Sequence, residues 1–333
     1  MRILVTGGAG FIGSHLVDAL LSLGHEVFAL DNLFIKDNEA NLSKAKSNKN
    51  FHFIKGDILD KELVDALIEK SDTVYHLAAI VGVKYVVDNT LLTILVNVEG
   101  TLNILASAHK YKRRVVLASS SEVYGRNRRI PLSERTSRLL GPTWIPRWCY
   151  STAKALDEHL AFAYYHSGLP VTCVRYFNIY GPRINSLGYG TVIANFIRQA
   201  LTGEPITVHG TGNQTRSFTY VSDAVEGTIL AGTKNEAIGE VFNIGSPKNE
   251  IRIVDLANLI KKLTNSPSPI IHIPYEDYFG SKHEDVPRRV PNINKARKLL
   301  GFEPKVSLEE GLVMTIEWCK KNWEIHSSQS KGC

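Results

Sequence analysis

Tyr150 and Lys154 stand four residues apart in Tyr150-Ser151-Thr152-Ala153-Lys154. On a helix that spacing puts both side chains on one face. A phenol with an ordinary pKa of about 10 is a poor base at neutral pH. Beside an ammonium and a positively charged nicotinamide ring its proton is lost more readily, and it can then take the proton of a substrate hydroxyl. Alone, the same spacing is that of an ordinary exposed pair. It becomes informative beside a redox cofactor, and the chain start supplies a place for one. Gly7, Gly10 and Gly13 form a glycine triplet between an apolar run and a helical pattern. Glycines there allow a tight turn and a close backbone approach, and the following helix offers free N–H groups to a pyrophosphate. Asp31 ends the second apolar run, 18 residues beyond Gly13. This is the place of the acid that holds the adenosine ribose hydroxyls. A carboxylate there repels a 2′-phosphate, and Asn32 and Leu33 follow it rather than arginine, so NAD is expected over NADP. Asp57 reads equally as a residue reaching the adenine and as a turn or helix-cap aspartate. Ser120, in Ala118-Ser119-Ser120-Ser121-Glu122-Val123-Tyr124-Gly125, follows another apolar run. It reads either as a partner for the Tyr150 hydroxyl or as part of a serine-rich turn.

These residues need a scaffold that brings strand ends together. Arg2 to Val5, Glu26 to Leu30, Phe51 to Ile54, Thr73 to Leu77, Arg114 to Ala118 and Val171 to Tyr176 read as strands. Phe11 to Leu23, Lys61 to Glu69, Leu91 to Lys110 and Ser151 to His166 read as helices. That alternation implies a parallel sheet with helices on both faces. Past residue 180 glycine and proline become frequent, and helices are expected at Thr191 to Leu201, Ser222 to Gly232, Ile253 to Leu263 and Leu308 to Lys320. The expected division is a dinucleotide-binding domain over 1–180, with return segments near 215–245. A smaller substrate lobe covers 181–325, and a polar tail over 326–333 is expected to be disordered. Lys36 to Asn50 reads as a loop or weak helix.

With 333 residues, 44% apolar and 22% charged, the chain can bury an ordinary globular core. The net charge is +6 and the pI about 9.0. The cations are scattered and no nucleic-acid motif accompanies them, so a phosphate-bearing small substrate is expected and nucleic acid is not. Cys149, Cys173, Cys319 and Cys333 form no CxxC pair, which implies neither a metal site nor a disulfide framework. A strand at the very start leaves no room for a signal peptide, and no apolar run reaches membrane-spanning length. A cytoplasmic location and no membrane partner are therefore expected.

Together these motifs resemble the extended short-chain dehydrogenase/reductase family, specifically its nucleotide-sugar epimerases, dehydratases and decarboxylases. The resemblance runs through Gly7-Gly8-Ala9-Gly10-Phe11-Ile12-Gly13, His76-Leu77-Ala78-Ala79, Ser119 to Gly125, Tyr150 to Lys154 and Arg175 to Arg183. It continues through Gln214 to Asp223, Phe242-Asn243-Ile244-Gly245 and Asp285 to Ile293. It implies an α/β Rossmann fold, a doubly wound parallel sheet with a smaller C-terminal α/β substrate lobe. It implies that Phe11, Ile12, Asn32, Ile58, Leu77, Ala78 and Ala79 line the NAD site and that Lys154 holds the nicotinamide ribose. Asn178 would meet the phosphate-sugar region of a nucleotide-sugar, and Thr191, Val192 and Val208 its base. Arg216 would bind the diphosphate with help from Arg288. The family commonly dimerises through two helices, here Leu91 to Lys110 and Ser151 to His166.

Members share oxidation of the sugar at C4 and differ in the use made of the ketone. Glu122 is the informative position. Typical 4-epimerases carry a small or hydroxyl residue there, and glucose-type 4,6-dehydratases an Asp-Glu pair; mannose-type dehydratases tolerate Ser-Glu. UDP-glucuronate decarboxylases also have Ser-Glu, as in Ser121-Glu122 here. Tyr85, the Pro146-Arg147 pair ahead of Tyr150, and Arg289 two before Pro291 all resemble decarboxylase features. In that reading the C4 ketone makes a β-keto acid, which loses carbon dioxide, and an arginine positions the carboxylate. Ser120 replaces the threonine usual in decarboxylases, and Asp285-Val286-Pro287-Arg288 also matches uronic-acid epimerases. UDP-glucuronate decarboxylase is therefore the leading reading and UDP-sugar 4-epimerase the alternative, with a 4,6-dehydratase behind both. A non-catalytic NAD-binding sensor is the rival of another class.

Overall fold

The computed structural model describes residues 1–185, 191–275, 277 and 284–329. Seven parallel strands form its central sheet: β1 (Arg2–Thr6), β2 (Glu26–Asp31), β3 (Phe51–Lys55), β4 (Thr73–His76), β5 (Arg114–Ser120), β6 (Val171–Tyr176) and, late in the chain, β11 (Val241–Ile244). Their spatial order is β11-β6-β5-β4-β1-β2-β3. The strands are near-continuous apolar runs because both faces are covered. Alternation divides their side chains: Ile3, Val5, Val116 and Val174 face one core, and Leu4, Val115, Leu117 and Cys173 the other. Helices α1 (Phe11–Ser22) and α8 (Val221–Thr233) close the first core. Helices α2 (Lys61–Glu69), α5 (Gly100–Lys110) and α6 (Trp148–His166) close the second. This is the doubly wound Rossmann architecture expected from the strand-helix rhythm.

Between β4 and α5 lie α3 (Val83–Asp88), α4 (Thr90–Ile94) and a π-helical turn at Leu95–Glu99. Helix α4, the π turn and α5 form one continuous helix from Thr90 to Lys110. It is long and apolar enough to span a membrane, which corrects the expectation that nothing in the chain is. Half of it is buried inside the protein, as befits a core helix.

The remaining strands are short. β7 (Ile179–Tyr180) pairs with β10 (Thr219–Tyr220), and β8 (Ile206–His209) with β13 (Ile270–Ile273). β9 (Thr215–Ser217) lies between antiparallel β12 (Glu250–Arg252) and parallel β14 (Arg288–Arg289). Helices α7 (Val192–Thr202) and α9 (Ile253–Thr264) pack against each other and against β8. Their apolar residues Ile193, Phe196, Leu256 and Ile260 share one cluster with Val5 and Leu16 of the sheet side. The return of β11 to the sheet fits the expected return segment. The last helix, Leu308–Gln329, runs into the stretch expected as a tail; residues 330–333 lie outside the described residues. The Lys36 to Asn50 stretch holds two 3-10 turns.

Candidate active site

The strand order reverses between β1 and β4, and ligand crevices of open α/β sheets lie outside the carboxyl ends at such a point. The glycine loop leaves β1 there. Gly7 has φ +69, and a Cβ on it would lie 2.8 Å from the Ala78 nitrogen. A Cβ on Gly13 would lie 2.0 Å from the Gly7 carbonyl oxygen. Only glycine lets the loop, α1 and the β4 end meet this closely. Helix α1 has no side-chain cap and no acidic residue in its first turn, so the N–H groups of Phe11, Ile12 and Gly13 are left for an anion. At the β2 end the Asp31 carboxylate accepts from Ala9 N (3.0 Å) and Leu33 N (2.9 Å). Burial raises its pKa, and the backbone N–H groups oppose that. Asn32 Nδ2 donates to Asp57 Oδ2 at 2.8 Å, and Asp57 Oδ1 also accepts from Leu59 N. The turn reading of Asp57 is thus met: it makes an Asx turn, beside Asp31–Asn32. Leu77, Ala78 and Ala79 follow β4 and are half-buried. Ile58 is 5% exposed and its side chain lies against Gly100, so it supports the floor from inside the core. These residues fit a dinucleotide: an amide-lined diphosphate cradle with a fixed carboxylate beside it.

Sequence reasoning missed Asn97. The π turn at Leu95–Glu99 brings it, buried, against the loop after Ala79, where its side chain accepts from Ile80 N and donates to Ile80 O (2.8 and 3.1 Å). Such turns interrupt helices at functional places.

Helix α6 begins at Trp148, so Tyr150 and Lys154 fall in its first two turns. A hydrogen bond joins the Ser120 and Tyr150 side chains. Ser120 Oγ also accepts from Glu122 N at 3.2 Å; it serves the turn and the tyrosine together. Burial raises the Tyr150 pKa, the Ser120 hydrogen bond opposes this, and the Glu122 and Asp157 charges add to it. The Lys154 ammonium is instead paired with Asp157 Oδ2 at 3.2 Å, both side chains being buried. The chain by itself therefore keeps Tyr150 a neutral phenol.

Glu122 sits among cations. Arg289 Nη1 donates to its Oε1 at 2.5 Å and Arg147 Nη2 lies 3.7 Å from its Oε2. Burial favours the neutral acid, but Arg289, Arg147 and Arg216 outweigh it and hold the carboxyl down at about 2. Glu122 is thus a carboxylate at neutral pH. Asp285 takes Arg216 (2.9 Å), lies 3.7 Å from Arg147 and accepts from the Tyr275 hydroxyl (2.6 Å). Three arginines face two carboxylates, leaving one positive charge in excess. Arg289 is 3% exposed, and its Nε and Nη2 have no hydrogen-bond partner among the described residues.

Other expected residues are placed differently. Adjacent residues of a strand point to opposite faces, so Arg288 faces outward and pairs with Glu250 (2.7 and 2.9 Å). It does not join Arg216, which corrects its expected role. Val208 is fully buried on β8 and supports a pocket wall only from within. Thr191 precedes α7 exposed, with Val192 half-buried. Asn178, at φ +42, donates to Ser217 O at 3.0 Å. Tyr85 lies edge-on to Phe34, ring centroids 5.4 Å apart.

A family described as GDP-mannose 4,6 dehydratase matches residues 4–315. The chain is 45% identical over 324 residues to a UDP-N-acetyl-alpha-D-glucosaminuronate decarboxylase of Bacillus cytotoxicus, covering 96% of this chain and 98% of that protein. It is 41% identical to UDP-glucuronic acid decarboxylase 1 of Xenopus tropicalis, covering 97% and 73%. Among solved structures, a UDP-glucuronic acid 4-epimerase of Bacillus cereus, in complex with UDP-glucuronic acid and NAD, superposes with a TM-score of 0.86 at 32% identity, covering 96% and 99%.

Proposed function

The chain belongs to the GDP-mannose 4,6 dehydratase family, and from that premise we propose that it is an NAD-dependent decarboxylase of a UDP-uronic acid. The observation that carries the reading is Glu122, held as a carboxylate by Arg289 and Arg147 beside Ser120 and Tyr150. A 4-epimerase needs no such group. A uronic acid brings its own C6 carboxylate, and the unpartnered Nε and Nη2 of Arg289 match a second carboxylate. Relatives at 45% and 41% identity are decarboxylases of two uronic acids.

NAD, when bound, supplies the hydride acceptor for C4 and a positive ring charge. The chain does the rest. Phe11, Ile12 and Gly13 N–H groups hold the diphosphate of the cofactor, and Asp31 its ribose. Tyr150, ionised once that positive charge lies beside it, takes the C4 hydroxyl proton, with Ser120 holding that hydroxyl. Arg289 engages the C6 carboxylate. As it does so, Glu122 shares its cation while still buried, and a desolvated carboxylate gains proton affinity. The C5–C6 bond electrons of the β-keto acid pass into a C4 enolate as carbon dioxide leaves. Glu122, protonated from solvent once its cation is shared, gives that proton to C5, and Tyr150 hands its proton back to the C4 oxygen as C4 recovers its hydride, so the net change is loss of carbon dioxide. Arg216, released from Asp285, receives the substrate diphosphate.

The test is incubation of the NAD-loaded protein with UDP-glucuronate and, separately, UDP-N-acetylglucosaminuronate. Loss of about 44 mass units, with one deuterium at C5 in heavy water, is expected. Unchanged mass with inverted C4 would establish the second reading, 4-epimerisation, which Ser120 and the Bacillus cereus likeness favour.

The same reading includes a homodimer. Leu91, Leu95 and Leu102 on the Thr90–Lys110 helix and Leu156 on α6 are exposed, an apolar face that a second copy would cover. Sedimentation at micromolar concentration tests it. A cytoplasmic location is supported by the free cysteines Cys149, Cys173 and Cys319.

A further inference from the structure

The carboxyl ends of β1 and β4 carry a line of buried polar side chains that the proposed chemistry leaves unused. Thr6 Oγ1 and His76 Nδ1 are 2.7 Å apart, and His76 Nε2 and Thr101 Oγ1 are 3.1 Å apart. Thr101 in turn hydrogen-bonds Asp157, the partner of Lys154 at 3.2 Å. Thr6, Thr101 and Asp157 are wholly buried, His76 is 1% exposed and Lys154 2%.

The line has one direction. Ala78 N–H donates to Thr6 Oγ1 at 3.2 Å, leaving the Thr6 hydroxyl proton for His76 Nδ1. His76 is neutral, its pKa pushed down to about 3 by burial and by the Lys154 charge. A neutral imidazole that accepts at Nδ1 donates at Nε2, so Thr101 receives there and gives its own proton to Asp157. The line thus starts at the loop beside the phosphate cradle and ends on the carboxylate that faces the lysine.

The neighbouring acid does not compete for Lys154. Glu158 is occupied by Arg175 (2.6 and 2.8 Å) and by the Ser119 hydroxyl (2.5 Å). A buried ion pair is a weak device for stability, since desolvation offsets the attraction. What this pair provides is an ammonium with a fixed place.

We infer that Thr6, His76, Thr101 and Asp157 form a positioning relay that sets Lys154 for the nicotinamide ribose and couples it to the floor of the cofactor crevice. Asp157 is a positioning residue, acting through Lys154. The inference rests on the proposed NAD-dependent reading.

The test compares Asp157→Asn and Thr101→Val with the parent, each as NAD-loaded enzyme on the UDP-uronate it turns over. NADH affinity is measured separately by fluorescence. Expected for Asp157→Asn is a fall in kcat on the order of 10- to 100-fold, the scale of a misplaced catalytic group, with KM for the sugar nucleotide unchanged. NADH affinity should fall in the same variant. Thr101→Val keeps the ion pair and cuts the relay, and should show a smaller fall in both kcat and NADH affinity. A folded Asp157→Asn protein with parental kcat and NADH affinity overturns the inference. If Asp157→Asn does not fold, parental behaviour of Thr101→Val overturns it. If the parent turns over no UDP-sugar, the decarboxylase reading fails by itself, and the relay is then judged on NADH affinity alone.

Discussion

Glu122→Gln tests the centre of the site. The substitution keeps the shape and removes one negative charge from a cluster of Arg147, Arg216, Arg289, Glu122 and Asp285. A carboxyl lowered from 4.5 to about 2 contributes roughly 3 kcal/mol of stability, at about 1.4 kcal/mol per tenfold change in proton affinity. The Glu122 side chain is 20% exposed and that of Arg289 3%, so solvent screens the pair little. An independent scale agrees, since breaking one side of a buried ion pair costs about 3–5 kcal/mol. The glutamine amide oxygen can still accept from Arg289, which places the expected loss at the low end, about 3 kcal/mol. The sign follows from a folded-state pKa below the unfolded one. The contribution is fully present above pH 4.5 and disappears as pH falls through about 2. Urea unfolding should therefore show the variant about 3 kcal/mol less stable at pH 7, with the gap narrowing to about 1.4 kcal/mol at pH 3. In the mass assay, at a temperature where the variant is folded, kcat should fall by about 10²- to 10⁴-fold, the usual contribution of a positioned acid or base. A variant as stable as the parent at pH 7 would refute the electrostatics. One that is less stable but turns over normally would refute the proton-donor role and leave Glu122 a structural counter-ion.

Tyr150→Phe should retain the fold, since it only deletes a buried hydroxyl, and lose about 10²-fold or more in turnover; parental rates would end the proposed chemistry. Gly13→Ala places a methyl 2.0 Å from the Gly7 carbonyl oxygen, so NADH affinity, read by fluorescence titration, should collapse, and unchanged binding would show that the cradle is not where the diphosphate sits. Arg288→Ala removes an exposed pair with Glu250 and should cost under about 1 kcal/mol with normal kcat. Arg289→Ala, one residue on, should cost several times more in urea unfolding and abolish decarboxylation; equal effects would contradict the opposite facing of the two side chains.

The crevice floor was legible because local constraints specify it. The glycine spacing, the apolar run before it and Asp31 beyond it are local features, and the parallel sheet with helices on both faces followed from the strand-helix rhythm. The pairings inside the site were not legible. Glu122 and Arg289 are 167 residues apart, and a formal charge carries no mark of its partner. Arg288 and Arg289 are the same residue type side by side. β14 is two residues long, too short to display the period of two that would have told the inward arginine from the outward one.

Lys154 shows the limit most sharply, because its true partner was in plain view. Asp157 lies three residues on, a spacing as favourable for an ion pair on a helix as the four that separate Tyr150 from Lys154. Nothing local chooses between them. The choice is made by what α6 packs against: His76 from β4 and Thr101 from α5 bring hydroxyl and imidazole groups to the Asp157 side. A lone buried phenol cannot offer an ammonium the charge that would offset its desolvation, whereas a carboxylate with its own donor can. The tyrosine is thereby left as a neutral phenol in the protein alone. Its activation then depends on the positive charge that the cofactor brings, so base strength should appear only in the loaded enzyme.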